Sequence, residues 1–486
     1  MLSLTRSHIF GLLGVVFSLI CFLLGTPEER LVILPGMVLL NVSILSLYVL
    51  WKKDKRFPLF DVGAMFIIAC LLYTLMPALG FLASGMQYNV LSTMELQNLA
   101  PTAQEFSSLL WRYVVFAVCF AAVYARLRPY GLSRQVVQSI PAKSTLFMLI
   151  LLVLLAEAGF EIVKAYAGVD FRATYDRIED TFQSLYALPV FLQQILGNVI
   201  SIVTILKMLL IVLIIAYWKK GREHWAVLLL VTALLVSYLL RAGSRTEIVV
   251  LVVTCILAYH RFVRPLRVRS IFFAGILVFV VFMTFGLMRG GADIKSNYTQ
   301  LEYLTSHDVP LLSIANEFQV LFGCTYDLFD MSKAGVLGQV PLQLNFYDVL
   351  LLVPNQLLPF DKINPTLWYW EFSSTKGFFS FNPVAQSIVG LDWLELVFRG
   401  AVLGWVFAMI HGWYLRRSSS FYATFSYLFL IVWSYYSIKA STFMWAYFII
   451  YRLVPALLLI HVLNALIASV RKDPSFKMIH RTGSVI

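Results

Sequence analysis

The chain has 486 residues, 60% of them hydrophobic and 13% charged, with a formal net charge of +12. A soluble globular chain carries about twice that charge density, whereas here apolar runs of about 20 residues recur from end to end. Lysine and arginine sit in short clusters between those runs, where they set membrane orientation, and this excludes nucleic-acid binding.

In chain order, the runs predict an all-α integral membrane protein with about 12 spanning helices. The first eight are expected over Ile9–Leu24, Leu31–Trp51, Phe60–Ala83, Ser107–Ala125, Thr145–Ala167, Val190–Tyr217, His224–Leu240 and Arg245–Tyr259. Ser270–Met288, Trp393–Tyr414, Ser419–Ser437 and Thr442–Leu466 complete the set. The first run lacks a small-residue cleavage site before Thr26-Pro27-Glu28 and reads as a retained helix. A closed barrel would need alternating segments about half as long.

Basic clusters fall in alternate connections: 52–56, 126–143, 219–222, 261–269, Arg416-Arg417 and the tail from Arg471. That side is expected to be cytoplasmic and to hold both termini. The opposite side takes the longer connections 84–106 and 169–189 and a segment from Arg289 to Asp392. In it, Leu311–Phe329 and Phe346–Leu358 are partly apolar and interrupted by Pro341, Pro354 and Pro359, so short helices on or re-entering the outer face are expected. The chain thus divides into 1–144 (helices 1–4), 145–288 (helices 5–9), a large outer loop 289–392, helices 10–12 over 393–470, and a tail 471–486. Cys21, Cys70, Cys119 and Cys255 lie in apolar runs and Cys324 stands alone in a polar loop, so neither a disulfide framework nor a metal knuckle is indicated.

Nucleotide chemistry lacks its residues: there is no phosphate-cradling G-x-x-x-x-G-K-[ST] loop, no G-x-G-x-x-G after a strand and no D-x-D pair. The outer side instead carries arginines that membrane orientation does not require: Arg172, Arg177, Arg241, Arg245 and Arg289, with Arg399 near the outer boundary and Lys439 in the last outer turn. Singly, each reads as a cation snorkelling at a helix end; together they suit a membrane-embedded polyanion. In Arg241-Ala242-Gly243-Ser244-Arg245, Gly243 permits the reversal, and Ser244 with Glu247 forms a capping-box pattern. A helix N-terminus beside two guanidinium groups suits a pyrophosphate, while the structural alternative is simple capping with an Arg245–Glu247 pair.

Glu157, Glu161 and Lys164 share a helix face and can neutralise one another. Arg452, three residues before Pro455 in the last helix, requires a partner or water. His307 and Asp308 lie side by side in the outer loop, as a solvated pair or as a proton acceptor. Glu371 follows Trp368-Tyr369-Trp370, aromatics able to stack on sugar faces or to sit at the membrane interface.

Several segments together resemble the integral-membrane polymerases that join lipid-linked repeat units of O-antigen, enterobacterial common antigen and similar bacterial polysaccharides. They are Phe171-Arg172-Ala173-Thr174-Tyr175, Arg241 to Thr246, Met288-Arg289-Gly290, Tyr303 to Asp308, Asn364 to Glu371, Gly377 to Pro383, and Lys439 before the last span. The resemblance runs from about residue 145 to the end and rests on order and spacing. It implies a GT-C-like fold and glycosyl transfer from an undecaprenyl-pyrophosphate-linked oligosaccharide at the periplasmic face of the bacterial inner membrane. Arg172, Arg241, Arg245, Arg289 and Lys439 would then hold the pyrophosphate, with Tyr175, Arg177, Arg399 and Arg452 as secondary candidates. Asp308, His307 or Glu371 would act as base. Gln386 stands where some relatives carry an acidic residue. No cofactor or metal is expected, because a neutralised lipid pyrophosphate is already a good leaving group. The implied partners are the lipid-linked oligosaccharide, membrane lipid, and a chain-length regulator and flippase of the same pathway. A ligase that transfers the glycan to another acceptor, or a polysaccharide or lipid transporter, are the alternatives.

Overall fold

The computed structural model describes residues 14–16, 18–20, 22–54, 58–83, 86, 101–130, 140–141, 143–167, 190–218, 245–267, 269–271, 273, 275, 309–354, 357–373 and 380–472. Its elements are all helical. In chain order they are α1 (Pro27–Asp54), α2 (Val62–Ala83), α3 (Ala103–Leu127), α4 (Lys143–Ala167), α5 (Val190–Trp218) and α6 (Arg245–Ala258), which runs on into a π turn, Tyr259–Val263. Then come α7 (Val309–Lys333), α8 (Leu342–Asn345), α9 (Tyr347–Leu352), α10 (Pro365–Phe372), α11 (Pro383–Val389) and α12 (Trp393–Arg417). Last are α13 (Phe421–Trp433), α14 (Tyr436–Lys439), α15 (Met444–Phe448), a second π segment Ile449–Leu453, and α16 (Val454–Lys472).

Among the described residues, six helices are long and apolar enough to cross a membrane: Pro27–Asp54, Val62–Leu82, Ala103–Leu127, Trp393–Arg417, Phe421–Lys439 and Met444–Ala465. The chain is therefore an all-helical membrane protein. Helices also form over the expected spans at α4, α5 and α6. The expected span 224–240, most of 270–288 and part of 9–24 lie outside the described residues.

The chain divides into two compact units that are not consecutive stretches of sequence. The first comprises residues 1–135, 294–418 and 427–446; the second comprises 136–293, 419–426 and 447–486.

In the first unit, α12 packs on α3 through glycine. A Cβ on Gly400 would fall 2.5 Å from the Phe116 carbonyl oxygen, and one on Gly404 would fall 2.6 Å from that of Phe120. This Gly-x-x-x-Gly spacing lets two membrane helices approach backbone to backbone. Since 400 faces 116 and 404 faces 120, the two helices run parallel. α1 also runs parallel to α3, with the Ser107 hydroxyl donating to the Leu31 carbonyl at 2.7 Å and Asp54 meeting Arg128. α2 runs the opposite way, Phe81 stacking on Phe106 at 4.1 Å and Gly63 abutting Tyr124. Phe66, Phe116, Phe120 and Phe407 meet edge-on between these helices. The start of α3 is fixed four residues ahead of its apolar run by a capping box, Thr102 and Glu105 bonding each other's backbone amides.

The outer-loop region departs from the short helices expected. Val309–Lys333 forms one helix of 25 residues, α7. It is held because its apolar face has partners: Phe318 meets Tyr73 and Phe322 meets Phe106. Cys324 consequently lies buried in α7 instead of in a polar loop, and burial pushes its thiol up to about 12. Short helices follow: α8 and α9 fall between Pro341 and Pro354 as the prolines suggest, while α10 and α11 open at Pro365 and Pro383, outside the two stretches expected.

In the second unit α4 and α5 run antiparallel, with the Tyr217 hydroxyl donating to the Pro141 carbonyl. Asn464 in α16 bonds Thr145 and donates to the Tyr422 hydroxyl at 3.1 Å. The π segment 449–453 precedes Pro455, whose missing N–H cannot complete a regular turn to Tyr451.

Candidate functional site

α12 carries two polar clusters in the first unit. Arg399 and His411 are 12 residues apart along it, about 18 Å at the helical rise.

At the His411 end, Asp61 is buried between α1 and α2. Its carboxylate accepts from Arg128 Nε at 2.6 Å, the Tyr124 hydroxyl at 2.7 Å and the Ala64 amide at 2.8 Å. Arg128 also pairs with Asp54. His411 Nδ1 lies 2.5 Å from the Tyr427 hydroxyl, which accepts from the Val62 amide at 3.1 Å. Burial alone would raise the Asp61 carboxyl, but Arg128 and the hydrogen bonds outweigh it and hold the group below the usual carboxylate range. This cluster joins five helices, α1, α2, α3, α12 and α13, and reads as a staple.

At the Arg399 end, the connection 439–443 is pinned from several sides. Arg399 pairs with Asp348 of α9 and, through Nη2 at 2.6 Å, with Glu395 one turn back. It also donates to the Thr442 hydroxyl at 3.0 Å. Asp348 accepts from the Phe443 amide at 3.2 Å. Thr442 donates in turn to Gln386 Oε1 of α11 at 3.3 Å, and the Ser380 hydroxyl bonds the Lys439 carbonyl. Glu395 accepts from the Leu391 amide at 2.9 Å as well. α11 is positioned by Asn382, which caps it at the Ala385 amide and donates to Tyr113 of α3 at 3.1 Å and to Thr325 of α7 at 2.9 Å. Pro383 occupies its first turn, where the missing N–H costs nothing. Around this connection Gln386 Nε2, Ser437 Oγ, Ser441 Oγ and Trp445 Nε1 have no hydrogen-bond partner among the described residues. In an apolar helical body, such a concentration of charge and unsatisfied polar groups marks a candidate site. Nearby, Arg112 pairs with Asp392 at 2.6 Å between the rings of Trp393 and Phe329. Asp392 has φ +51°, a conformation uncommon for a residue with a side chain.

The residues singled out in the sequence are distributed as follows. Arg399 is buried and committed to Asp348 and Glu395, so it is no exposed cation for a ligand. Lys439 is half-buried at the start of the pinned connection, its ammonium 5.9 Å from the Tyr436 ring centre. Glu371 is exposed at the last turn of α10. Of its aromatic neighbours, Trp368 and Tyr369 are buried; Tyr369 bonds Asp327, so these two are held in packing and are not stacking surfaces. Arg452 lies in the π segment with its guanidinium 4.1 Å from the Phe448 ring centre, so part of its charge is met by an aromatic face. Arg245 opens α6 where the capping pattern puts the start, but its side chain and that of Glu247 are outside the described set. Glu157, Glu161 and Lys164 fall in α4, their side chains likewise outside it. Arg172, Tyr175, Arg177, Arg241, Arg289, His307 and Asp308 lie outside the described residues.

Sequence reasoning missed Asp348, Glu395, Thr442, Arg112, Asp61 and Arg128. One signal was present: Glu395 and Arg399 stand four apart inside an apolar run, a spacing that pairs charges on one helix face. Asp348 gave a weaker one, a lone carboxylate among Val349 to Leu352. No protein-family model, no curated protein and no solved structure matches this chain.

Proposed function

We propose that this protein polymerises undecaprenyl-pyrophosphate-linked oligosaccharide repeat units by glycosyl transfer at the periplasmic face of the bacterial inner membrane. In this reading the chain is GT-C-like, with about 12 spans, cytoplasmic termini and a large outer loop. The observation that carries it is the pinned polar connection following Lys439, in an otherwise apolar helical body and at the end of α12 away from the basic Arg416-Arg417. The parallel course of α1, α3 and α12, each ending in basic residues, supports the orientation. The segments from Phe171 to Lys439 that resemble the polymerases supply the rest.

The chemistry needs fixed cations on the leaving pyrophosphate and a proton acceptor for the incoming hydroxyl. Arg172, Arg241, Arg245, Arg289 and Lys439 take the first role, and Asp308, His307 or Glu371 the second. Glu371 is exposed, so its carboxylate is accessible to the glycan of a lipid-linked unit.

A ligase that transfers the glycan to another acceptor is the second reading and a transporter the third, the latter favoured by helix breaks at 434–435 and 440–443 of the kind such proteins place at their binding sites. The glycan profile of a strain lacking the gene separates these. Single repeat units in place of polymer support the polymerase; finished polymer retained on its carrier lipid points to a ligase, and lipid-linked units trapped on the cytoplasmic face point to a transporter. Unchanged glycans sink all three.

A further inference from the structure

We propose that α8, α9 and the first turns of α12 are immersed in the membrane leaflet remote from Arg416-Arg417, and that acyl chains of that leaflet cover their outward face. The depth follows from where the charges point and does not rest on the polymerase reading, which stands or falls with the glycan profile.

A helix that meets water turns its charges outward and its apolar side chains in. Here the order is reversed. In α9 the one charged residue, Asp348, is buried against Arg399, while outside it Leu342 is 70% exposed, Phe346 57% and Val349 60%. Of the exposed residues from 342 to 352 only Asn345 is polar. The head of α12 repeats the pattern: Glu395 and Arg399 pair with each other on the inner side, and every exposed residue from 391 to 400 is aliphatic or aromatic. This apolar face continues down α12 through the exposed Phe398, Trp405 and Met409. A helix long and apolar enough to cross a membrane carries that side toward lipid, so the continuous face on α8 and α9 meets lipid as well.

The lengths agree. From Arg417 back to Arg399 the helix rises about 27 Å, short of a hydrocarbon core of about 30 Å. With Arg417 at one boundary, the core reaches past Arg399 toward Trp393, a residue type suited to the headgroup boundary, and any tilt carries it farther. The Asp348–Arg399 pair ties α9 to that level. Its six residues rise only about 9 Å and cannot cross, so α9 lies in the edge of the leaflet. Polar groups beside it are bonded, as lipid requires: Gln343 accepts from the Ile363 amide at 3.0 Å and Lys362 donates to the Val353 carbonyl. The connection 439–443 meets Asp348 through the Phe443 amide and Arg399 through Thr442, so Lys439 at its start stands at headgroup depth.

The test uses the full-length protein in phosphatidylcholine nanodiscs at one copy per disc. Bimane is attached at Phe346→Cys or Val349→Cys, with Met409→Cys as the reference within a span and Ala334→Cys as the reference past the polar end of α7. The parent chain labelled in parallel gives the signal of its own cysteines. A phosphatidylcholine with a doxyl group near the top of its acyl chain should quench the labels at 346 and 349 as strongly as the one at 409. Iodide in the buffer should quench them less than the one at 334. Quenching by iodide equal to that at 334, with no loss to the doxyl lipid, places the face in water and overturns the proposal. Protection from both quenchers shows protein over the face and overturns it too. A second measurement needs no variant: the wild-type chain is illuminated with a phosphatidylcholine bearing a diazirine on its acyl chain. Adducts should fall within 342–352 and 391–398, and adducts on the remainder of α12 with none in 342–352 would refute the immersion of α8 and α9.

Discussion

Replacing Arg399 by alanine should be among the most damaging single changes in the first unit. The guanidinium is buried and holds Asp348, whose side chain is 5% exposed, together with Glu395 and Thr442. Removing it leaves Asp348 with the Phe443 amide as its described partner, while Glu395 keeps the Leu391 amide. Breaking a buried pair by deleting one member costs about 3–5 kcal/mol, because the remaining charge stays desolvated without compensation. Asp348→Asn in the same chain removes that charge, so the double variant should recover part of the loss, with a coupling energy of about 0.5–3 kcal/mol. Arg399→Lys should fall between, since one ammonium cannot span three partners in the geometry of a planar fork. Chemical denaturation of the detergent-solubilised protein, followed by size-exclusion retention, measures all four. A loss below about 1 kcal/mol in Arg399→Ala, or strict additivity in the double variant, would refute the reasoning, because either shows the triad to be solvated or uncoupled.

Other consequences are open to direct measurement. Gly404→Leu should separate α12 from α3 and cost about 1–3 kcal/mol by overpacking, since even a Cβ there meets the Phe120 carbonyl oxygen at 2.6 Å; wild-type stability of that variant would contradict the close approach. Asp61 is held below the ordinary carboxylate value, so its contribution is complete above about pH 4 and is lost as pH falls through the lower folded value. Asp61→Asn should therefore flatten the acid limb of the stability profile, and an unchanged limb counts against the staple. Arg→Ala at Arg241, Arg245 or Arg289 should abolish most polymer at unchanged protein level, with Arg→Lys rescuing only in part; normal chain lengths in all three alanine variants would remove the pyrophosphate role. Reporter fusions after Lys52 and after Asp330 should mark opposite compartments, and the same compartment for both would overturn the orientation.

Helix positions were legible in the sequence because each depends on a local property, the length of an apolar run and the residues that cap it. α2, α3 and α12 fall where the runs put them, and α6 begins at Arg245 after its capping pattern. The relative direction of four packed helices was legible too, since α1, α3 and α12 end in basic residues and α2 does not. What pairs with what was not. Asp348 and Arg399 are 51 residues apart, Asp61 and Arg128 67, and no periodicity connects them. α7 reads as interrupted amphipathic sequence until α2 and α3 supply the aromatic faces that carry it through 25 residues. By itself the sequence determined that this is an apolar, helical membrane chain. Only the tertiary structure decided that Arg399 is spent on Asp348 and Glu395 while Gln386 and Ser441 keep unmet polar atoms, because burial and partnership are properties of neighbours brought together by packing, which a linear order does not contain.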